Sequence, residues 1–301
     1  MFKIILINII LYFSYLWNGI YLFIKYIMTN ESQDLIDNDN YQQLKEKILL
    51  PNILPDKHND LINLDYTNLT ILNWNIHYFT DYNNKCMFIK QFDYLKEKQP
   101  DIICLQEVKC KTFEIGNEKC NQLKCIAEKL GYYYIYINEL AVLSKYKIKH
   151  HKYISHYPNS NSFGNRGILF QIEINTKNIN ILNLHLHNDL FGAEQLLFYY
   201  NHLKIIIQEY NNSNQILIIA GDFNSIPFHP LISKIKKRLQ INNPEYDNYS
   251  YTFPTNYPVL QLDKCYSNEY ITNSIMLLDS TPDTNCKLSD HYPLINKFLI
   301  K

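Results

Sequence analysis

The chain has 301 residues, 47% of them hydrophobic, and its 29 basic and 29 acidic residues give a formal net charge of zero. This composition excludes a globally disordered chain, because it supplies enough apolar surface for a sizeable core. Zero net charge also excludes bulk attraction to a polyanion, so a nucleic-acid ligand would need a local basic patch. The length suits one large domain or two small ones.

The first predicted element is an uncharged hydrophobic segment at residues 4–24, between Lys3 and Lys25. About 20 apolar residues span a bilayer as a helix, so residues 1–28 are predicted to form a single membrane anchor. The two flanking lysines leave its orientation open. An atypical signal peptide or an apolar arm packed on the protein are the alternatives. We therefore expect a membrane location, with a secreted or cytoplasmic protein as the alternatives.

A polar linker is predicted at residues 29–68, which are rich in Asn and Asp and carry Pro51 and Pro55. A short helix is expected within it near residues 41–48. From residue 69 to residue 301 hydrophobic runs and amphipathic segments interleave, which predicts the main domain.

Helices are predicted in this domain where apolar residues recur at helical spacing, and strands where they run together or alternate. The middle of the chain runs through several strands without a helix, as in a mixed sheet or two packed sheets. The predicted helices are 87–99, 118–130, 190–210 and 229–239, and the predicted strands are 69–76, 101–108, 132–137, 140–143, 147–154, 167–174, 179–186, 216–222, 260–267, 274–278 and 294–300.

Seven cysteines occur, with no C-x-x-C pair and no Cys/His spacing that suits zinc. The odd number in a chain of this length predicts reduced, mostly structural thiols.

Polar residues follow several of the predicted strands. Asp222 and Asn224 come after the apolar run 216–219, and Gly221, just before them, lets the backbone turn tightly. An ordinary turn would use the same residues. In the run 182–187 three leucines alternate with polar residues, which places His185 and His187 on one face; that face would also suit solvent.

Similar strand-end residues recur along the chain: Asn75, Glu107, Asp263, Asp290 and His291. Each alone is explained by a solvated strand end or a turn. In this order they resemble the endonuclease/exonuclease/phosphatase (deoxyribonuclease I-like) superfamily over residues 69–301. The motifs that carry the resemblance are WN (74–75), LQE (105–107), GNRG around Arg166, LHL (184–186), GDFN (221–224), TFP (252–254) with LD (262–263), and SDHYP (289–293).

This resemblance implies an α/β fold in which two packed mixed β-sheets are flanked by helices, a four-layered α/β sandwich. It also implies a Mg²⁺ site, or alternatively a Mn²⁺ site, with Glu107 as the main ligand and Asn75 and Asp290 as further ligands. Carboxylate and amide oxygens are the ligands that such hard cations prefer.

The resemblance implies catalytic roles for five residues. Asp222 would orient or deprotonate the attacking water, and Asn224 would hold that water or a phosphate oxygen. His291, paired with Asp263, would act as a donor or as the base, so the general base stays open between Asp222 and His291. His185 would donate a hydrogen bond to a phosphate oxygen.

Arg166 and His187 are the candidate substrate-binding residues. The predicted reaction is hydrolysis of a phosphodiester in a nucleic acid or a phospholipid headgroup, by a monomer without a protein partner. An inositol-phosphate-type phosphomonoesterase and a non-catalytic scaffold of the same fold are the alternatives. Two positions depart from the pattern: His77 stands where an acidic residue or Gly is common, and Lys264 follows Asp263.

Overall fold

The computed structural model describes residues 66–109, 112–115, 118–155, 164–188, 192–241 and 251–301. The hydrophobic segment at 4–24 and the linker up to residue 65 lie outside this range, so the predicted anchor stays a prediction. Within the described part of the chain, no helix is long and apolar enough to cross a bilayer.

Two mixed β-sheets form the centre of the domain. The strands are β1 (Thr67–Asn75), β2 (Ile102–Gln106), β3 (Thr112–Ile115), β4 (Glu118–Asn121), β5 (Tyr133–Ile137), β6 (Leu140–Ser144), β7 (His150–Ser155), β8 (Arg166–Ile174), β9 (Lys177–His185), β10 (Ile216–Asp222), β11 (Asp263–Ser267), β12 (Ile275–Pro282) and β13 (Leu294–Ile300). The first sheet has six strands in the order β12-β13-β1-β2-β6-β5, and the second has five in the order β11-β10-β9-β8-β7; β3 and β4 form a separate hairpin.

The helices flank these sheets. Local chemistry sets several of their ends: Asn121 caps the second helix by accepting from the Lys124 backbone N–H, and Gly131 ends it in the left-handed conformation. Pro230 occupies the first turn of the fifth helix. The helices are α1 (Phe88–Lys98), α2 (Gln122–Leu130), α3 (Ala193–Phe198), a π turn (Tyr199–Leu203), α4 (Lys204–Asn212), α5 (Pro230–Arg238) and α6 (Glu269–Thr272), with a 3₁₀ turn at His77–Phe79.

Three apolar layers hold these elements together. Side chains such as Ile71 and Ile218 fill the space between the two sheets. Trp74 and its neighbours on the outer face of the first sheet pack against α1 and α2. Leu217 and its neighbours pack the second sheet against α3, α4 and α5. This helix–sheet–sheet–helix arrangement confirms the predicted four-layered α/β sandwich.

The structure corrects several of the predictions made from the sequence. The helix predicted at 118–130 begins only at Gln122, because residues 118–121 pair with 112–115 as a hairpin. The helix predicted at 190–210 contains a π turn. Cys125 is disulfide-bonded, so the prediction of reduced thiols is wrong at this position, whereas Cys86, Cys104, Cys265 and Cys286 are free.

Gly221 permits a close approach of two neighbouring strands. A Cβ atom added there would lie 2.1 Å from the carbonyl oxygen of Leu184, which belongs to the backbone of β9. The parallel pairing of β9 with β10 therefore requires Gly at this position, one residue before Asp222.

We expect Gly221→Ala to destabilise the protein by about 3 kcal/mol or more, because the clash is with backbone and cannot be relieved by a side-chain rotation. Urea unfolding measures this loss. Gly131→Asn is the matched control: it places a side chain in open space at a left-handed position that Asn tolerates. Equal stabilities of the two variants would contradict the prediction.

Candidate active site

Strand register aligns four polar residues across one end of the second sheet. Asp222, the last residue of β10, pairs with His185 of β9 on one side and with Asp263 of β11 on the other. Arg166 of β8 pairs with His185 in turn. Residues that are distant in the sequence are therefore neighbours at the same end of this sheet.

The first sheet contributes Asn75 and Glu107 to the same place. Asn75 ends β1, and Glu107 follows β2 with a left-handed φ of 53°. The Asn75 side-chain Nδ2 donates to Glu107 Oε1 at 3.0 Å and to Asp222 Oδ2 at 3.1 Å. This one amide joins the carboxylates of the two sheets. Its Oδ1 accepts from the His77 backbone N–H at 3.1 Å, so a metal-ligand role would require that oxygen to turn toward Glu107.

His291 and Asp263 form a buried pair. The distance from His291 Nδ1 to Asp263 Oδ2 is 2.7 Å, and His291 Nε2 lies 3.8 Å from Asp222 Oδ2. Burial opposes the charged ring, but the Asp263 and Asp222 carboxylates outweigh it and raise the pKa of His291 to about 10. The ring is therefore an imidazolium at neutral pH.

His185 has the opposite electrostatic surroundings. Its Nδ1 lies 3.1 Å from Nη2 of Arg166, which is held in turn by Glu139 at 3.0 Å. Burial and the neighbouring guanidinium lower the pKa of His185 to about 3. Because a guanidinium only donates, Nδ1 accepts and the proton of the neutral ring sits on Nε2. That Nε2 lies 3.7 Å from Glu107 Oε1 and 3.9 Å from Asp222 Oδ2.

Glu107 and Asp290 form the acidic side of the site. Burial of most of its side chain, and then the charge of Asp290, raise the pKa of Glu107. Asp290 Oδ1 accepts from the Ser289 hydroxyl at 3.2 Å and lies 3.9 Å from His77 Nδ1. A carboxylate whose ionisation is opposed by burial and by a second carboxylate fits a site for a hard divalent cation.

A second group with metal-ligand chemistry consists of Asp222, Asp263 and His291, whose ligand atoms lie within 4.8 Å of one another. Its His291 Nδ1 is already hydrogen-bonded to Asp263. Because that bond occupies Nδ1, only Nε2 of this ring could ligate a metal, and only in the neutral form of the ring.

Two predicted site residues bind protein groups in this structure. The Asn224 backbone N–H donates to Asp222 Oδ1 at 2.8 Å, while its side-chain Nδ2 donates to the Leu186 carbonyl at 2.8 Å. His187 lies two residues beyond the end of β9, and its Nδ1 is 3.6 Å from Glu194 Oε2 at the start of α3.

Sequence reasoning missed the residues that support the site. Gln106 Nε2 donates to Asn73 Oδ1 at 2.8 Å and to Asn183 Oδ1 at 2.7 Å, and all three side chains are buried between the sheets. The Phe253 ring packs on the His291 ring at 4.7 Å. An Asn or Gln inside an apolar strand was the available signal, because a buried amide needs partners.

The family model described as the Endonuclease/Exonuclease/phosphatase family matches residues 72–291. The chain therefore belongs to this family. The match spans the convergent site from Asn75 to His291. No curated protein matches the sequence.

Solved structures of several such proteins share the fold. A family member from Leptotrichia buccalis is 19% identical with a TM-score of 0.57, covering 76% of this chain and 99% of that one. D. rerio TDP2, solved with a single-strand DNA product, is 15% identical with a TM-score of 0.54, covering 77% and 99%. ANGEL2, described as a 2′,3′-cyclic phosphatase, is 17% identical with a TM-score of 0.54, covering 79% and 97%.

The raised pKa of His291 predicts a pH-dependent contribution to stability. An unfolded histidine has a pKa of about 6.5. Below that pH the His291 ring is charged in both the folded and the unfolded chain, and its attraction to Asp263 and Asp222 contributes fully to the stability. As pH rises from there through about 10, the contribution is lost, because the unfolded chain releases the proton first. Over this range the free energy of unfolding should fall by up to about 1.4 kcal/mol per pH unit.

Urea unfolding of the parent and of His291→Gln at several pH values between 6 and 10 measures this contribution. We expect the stability difference between them to shrink steadily over this window. A difference that is constant or grows with pH would show that the pKa of His291 is not raised in the folded protein.

Proposed function

We propose that the protein is a metal-dependent phosphodiesterase that uses water as its nucleophile. The observation that carries the proposal is the convergence of Glu107, Asp222, His185 and the Asp263–His291 pair, supplied by separate strand ends, around one small region. An inert phosphodiester needs such a combination of carboxylates and hydrogen-bond donors for attack at phosphorus.

Glu107 and Asp290 would hold the cation, for which we propose Mg²⁺ because all the oxygen ligands offered there are hard. A bound divalent cation would stabilise negative charge on a phosphate oxygen. Asn75 fixes the position of the Glu107 carboxylate and of Asp222 at the same time.

Asp222 is the proposed acceptor of the proton from water. His291 is the other candidate base, but its raised pKa keeps the ring protonated near neutral pH, so it cannot accept a second proton. Asp222 is buried and is held through both oxygens, by Asn75 and by the Asn224 backbone N–H. These two hydrogen bonds fix the orientation of the Asp222 carboxylate.

The two histidines are the proposed donors to the phosphate. His291 would offer its charged Nε2–H, and His185 its neutral Nε2–H. Both nitrogens lie within 4 Å of Asp222 Oδ2. Donors fixed in advance around the reacting group stabilise charge that develops in the transition state. A scaffold without activity would have no need of this arrangement.

A nucleic-acid phosphodiester is the proposed substrate, in line with the TDP2 structure that holds a single-strand DNA product. A phospholipid headgroup is the second candidate. The uncharged hydrophobic segment at 4–24 favours it, because a membrane anchor would place the site near lipid.

Asp222→Asn should lower kcat for a phosphodiester about 10²–10⁴-fold, because the amide cannot take the proton from water. His291→Gln should lower it about 10²–10³-fold, through loss of a charged donor. Steady-state hydrolysis of bis(4-nitrophenyl) phosphate with Mg²⁺ measures both. The control is Asp279→Asn, at a half-exposed acid outside the site. Full activity in either site variant would refute the assignment.

Glu107→Gln should weaken metal binding about tenfold or more, because it removes the main anionic ligand. Isothermal titration with Mg²⁺ or Mn²⁺ measures the affinity without any turnover. Asp263→Asn is the matched comparison, since Asp263 belongs to the other acidic group. If Asp263→Asn loses the metal and Glu107→Gln keeps it, the cation is bound by the Asp222, Asp263 and His291 group instead.

A further inference from the structure

A concentration of positive charge follows directly after the active-site loop. Residues 223–241 contain no Asp or Glu but include four basic residues, in a chain whose formal net charge is zero. Helix α5 buries Leu231, Ile232 and Ile235 against the second sheet. Its basic residues therefore lie on the remaining sides of the helix: Lys234, Lys236, Lys237 and Arg238.

A cavity of about 660 Å³ lies on one of these sides. Phe228, 62% exposed, stands beside it, and two lysines contribute to its wall. An exposed ring next to ammonium groups suits a base that stacks and a phosphate that pairs with Lys. The cavity is lined by Pro227, Phe228, Ser233, Lys236, Lys237, Gln240 and Ile241.

The adjoining side of α5 continues the same chemistry. The Tyr200 ring, 48% exposed, has the Lys234 ammonium 5.2 Å and the Lys204 ammonium 6.0 Å from its centre. Arg238 Nε donates to the Tyr199 hydroxyl at 2.8 Å, which fixes α5 against the π turn. The surface made by Tyr200, Lys204, Phe228, Lys234, Lys236 and Lys237 is called the α5 face below.

The α5 face begins close to the reacting groups. Phe228 is four residues after Asn224, and four residues span at most about 14 Å. Asn224 itself holds the Asp222 carboxylate through its backbone N–H. A nucleic-acid strand with one phosphate at Asp222 could therefore reach the α5 face within a few nucleotides.

We propose that the α5 face binds the single strand of a nucleic acid next to the phosphodiester that is cleaved. This inference rests on the proposed function and names the substrate as a single-stranded nucleic acid. Each exposed ring of this face has lysines beside it: Phe228 shares its cavity with Lys236 and Lys237, and Tyr200 lies next to Lys204 and Lys234. An anionic membrane would instead favour a helix whose apolar side faces the lipid, whereas the apolar side of α5 is buried against the second sheet.

Binding of a fluorescein-labelled single-stranded oligonucleotide of about 12 nucleotides tests the proposal, followed by anisotropy with the full-length chain and chelator present so that no cleavage occurs. We expect Lys236→Glu/Lys237→Glu to weaken binding at least tenfold. The slope of log affinity against log salt should become shallower by about 1.4, since each phosphate contact on a single strand contributes about 0.7. Phe228→Ala should weaken binding roughly tenfold through loss of stacking.

The matched control is Lys90→Glu/Lys96→Glu, which makes the same charge change at two exposed positions of α1, on the first sheet. It should bind the oligonucleotide within about twofold of the parent, as expected for loss of distant charge alone. An equal loss in both double variants, or no loss in either, would overturn the proposal.

Two further measurements distinguish nucleic-acid binding from membrane binding, and the role of the α5 face from the proposed function. If the α5 variants lose binding to vesicles of phosphatidylserine and phosphatidylcholine but keep oligonucleotide binding, the face is a membrane contact and the proposal is wrong. All these variants should hydrolyse bis(4-nitrophenyl) phosphate like the parent, because the small ester does not reach the α5 face. A parent without this hydrolysis would refute the proposed function, while oligonucleotide binding would still decide the role of the α5 face.

Discussion

The site depends on the two hydrogen bonds that the Asn75 amide donates, one to Glu107 and one to Asp222. Glu107 belongs to the first sheet and Asp222 to the second, so this side chain sets the spacing between the acidic groups of the two sheets. Beneath it, Gln106 donates to Asn73 and Asn183 across the sheet interface. Buried amides of this kind are costly to leave unpaired, so they hold the sheets in one relative position.

The two buried histidines have pKa values that are shifted in opposite directions by the charged groups beside them. Burial disfavours the charged form of both rings. His185 has the Arg166 guanidinium on its Nδ1 side and is neutral, whereas His291 has Asp263 in that position and is charged. The same side chain thus supplies a neutral and a cationic donor a few ångströms apart. Opposite shifts of this kind assign roles that residue identity alone leaves open.

The α5 face shows how positive charge can be concentrated on one surface of a chain whose formal net charge is zero. Helix α5 presents its apolar side to the second sheet, and its lysines occupy the other sides. The charge balance of the whole chain says nothing about this segregation. It arises because the helical repeat sorts residues by face and the sheet selects which face is buried.

Patterns and motifs in the sequence predicted the layers and indicated the residues that are proposed for the site. Apolar runs such as 216–219 and the helical spacing around Phe92 are local patterns, and the strand-end residues from Asn75 to His291 could be recognised by their motifs. The sequence does not say which of these residues touch, and that depends on the three-dimensional arrangement of the strands. A period of two tells which face of a strand a residue occupies, but not which strand lies beside it. The pairing of Asp222 with both His185 and Asp263, the turn of the Asn224 amide toward Leu186, and the opposite charge states of the two histidines therefore depend on contacts between residues far apart in the chain.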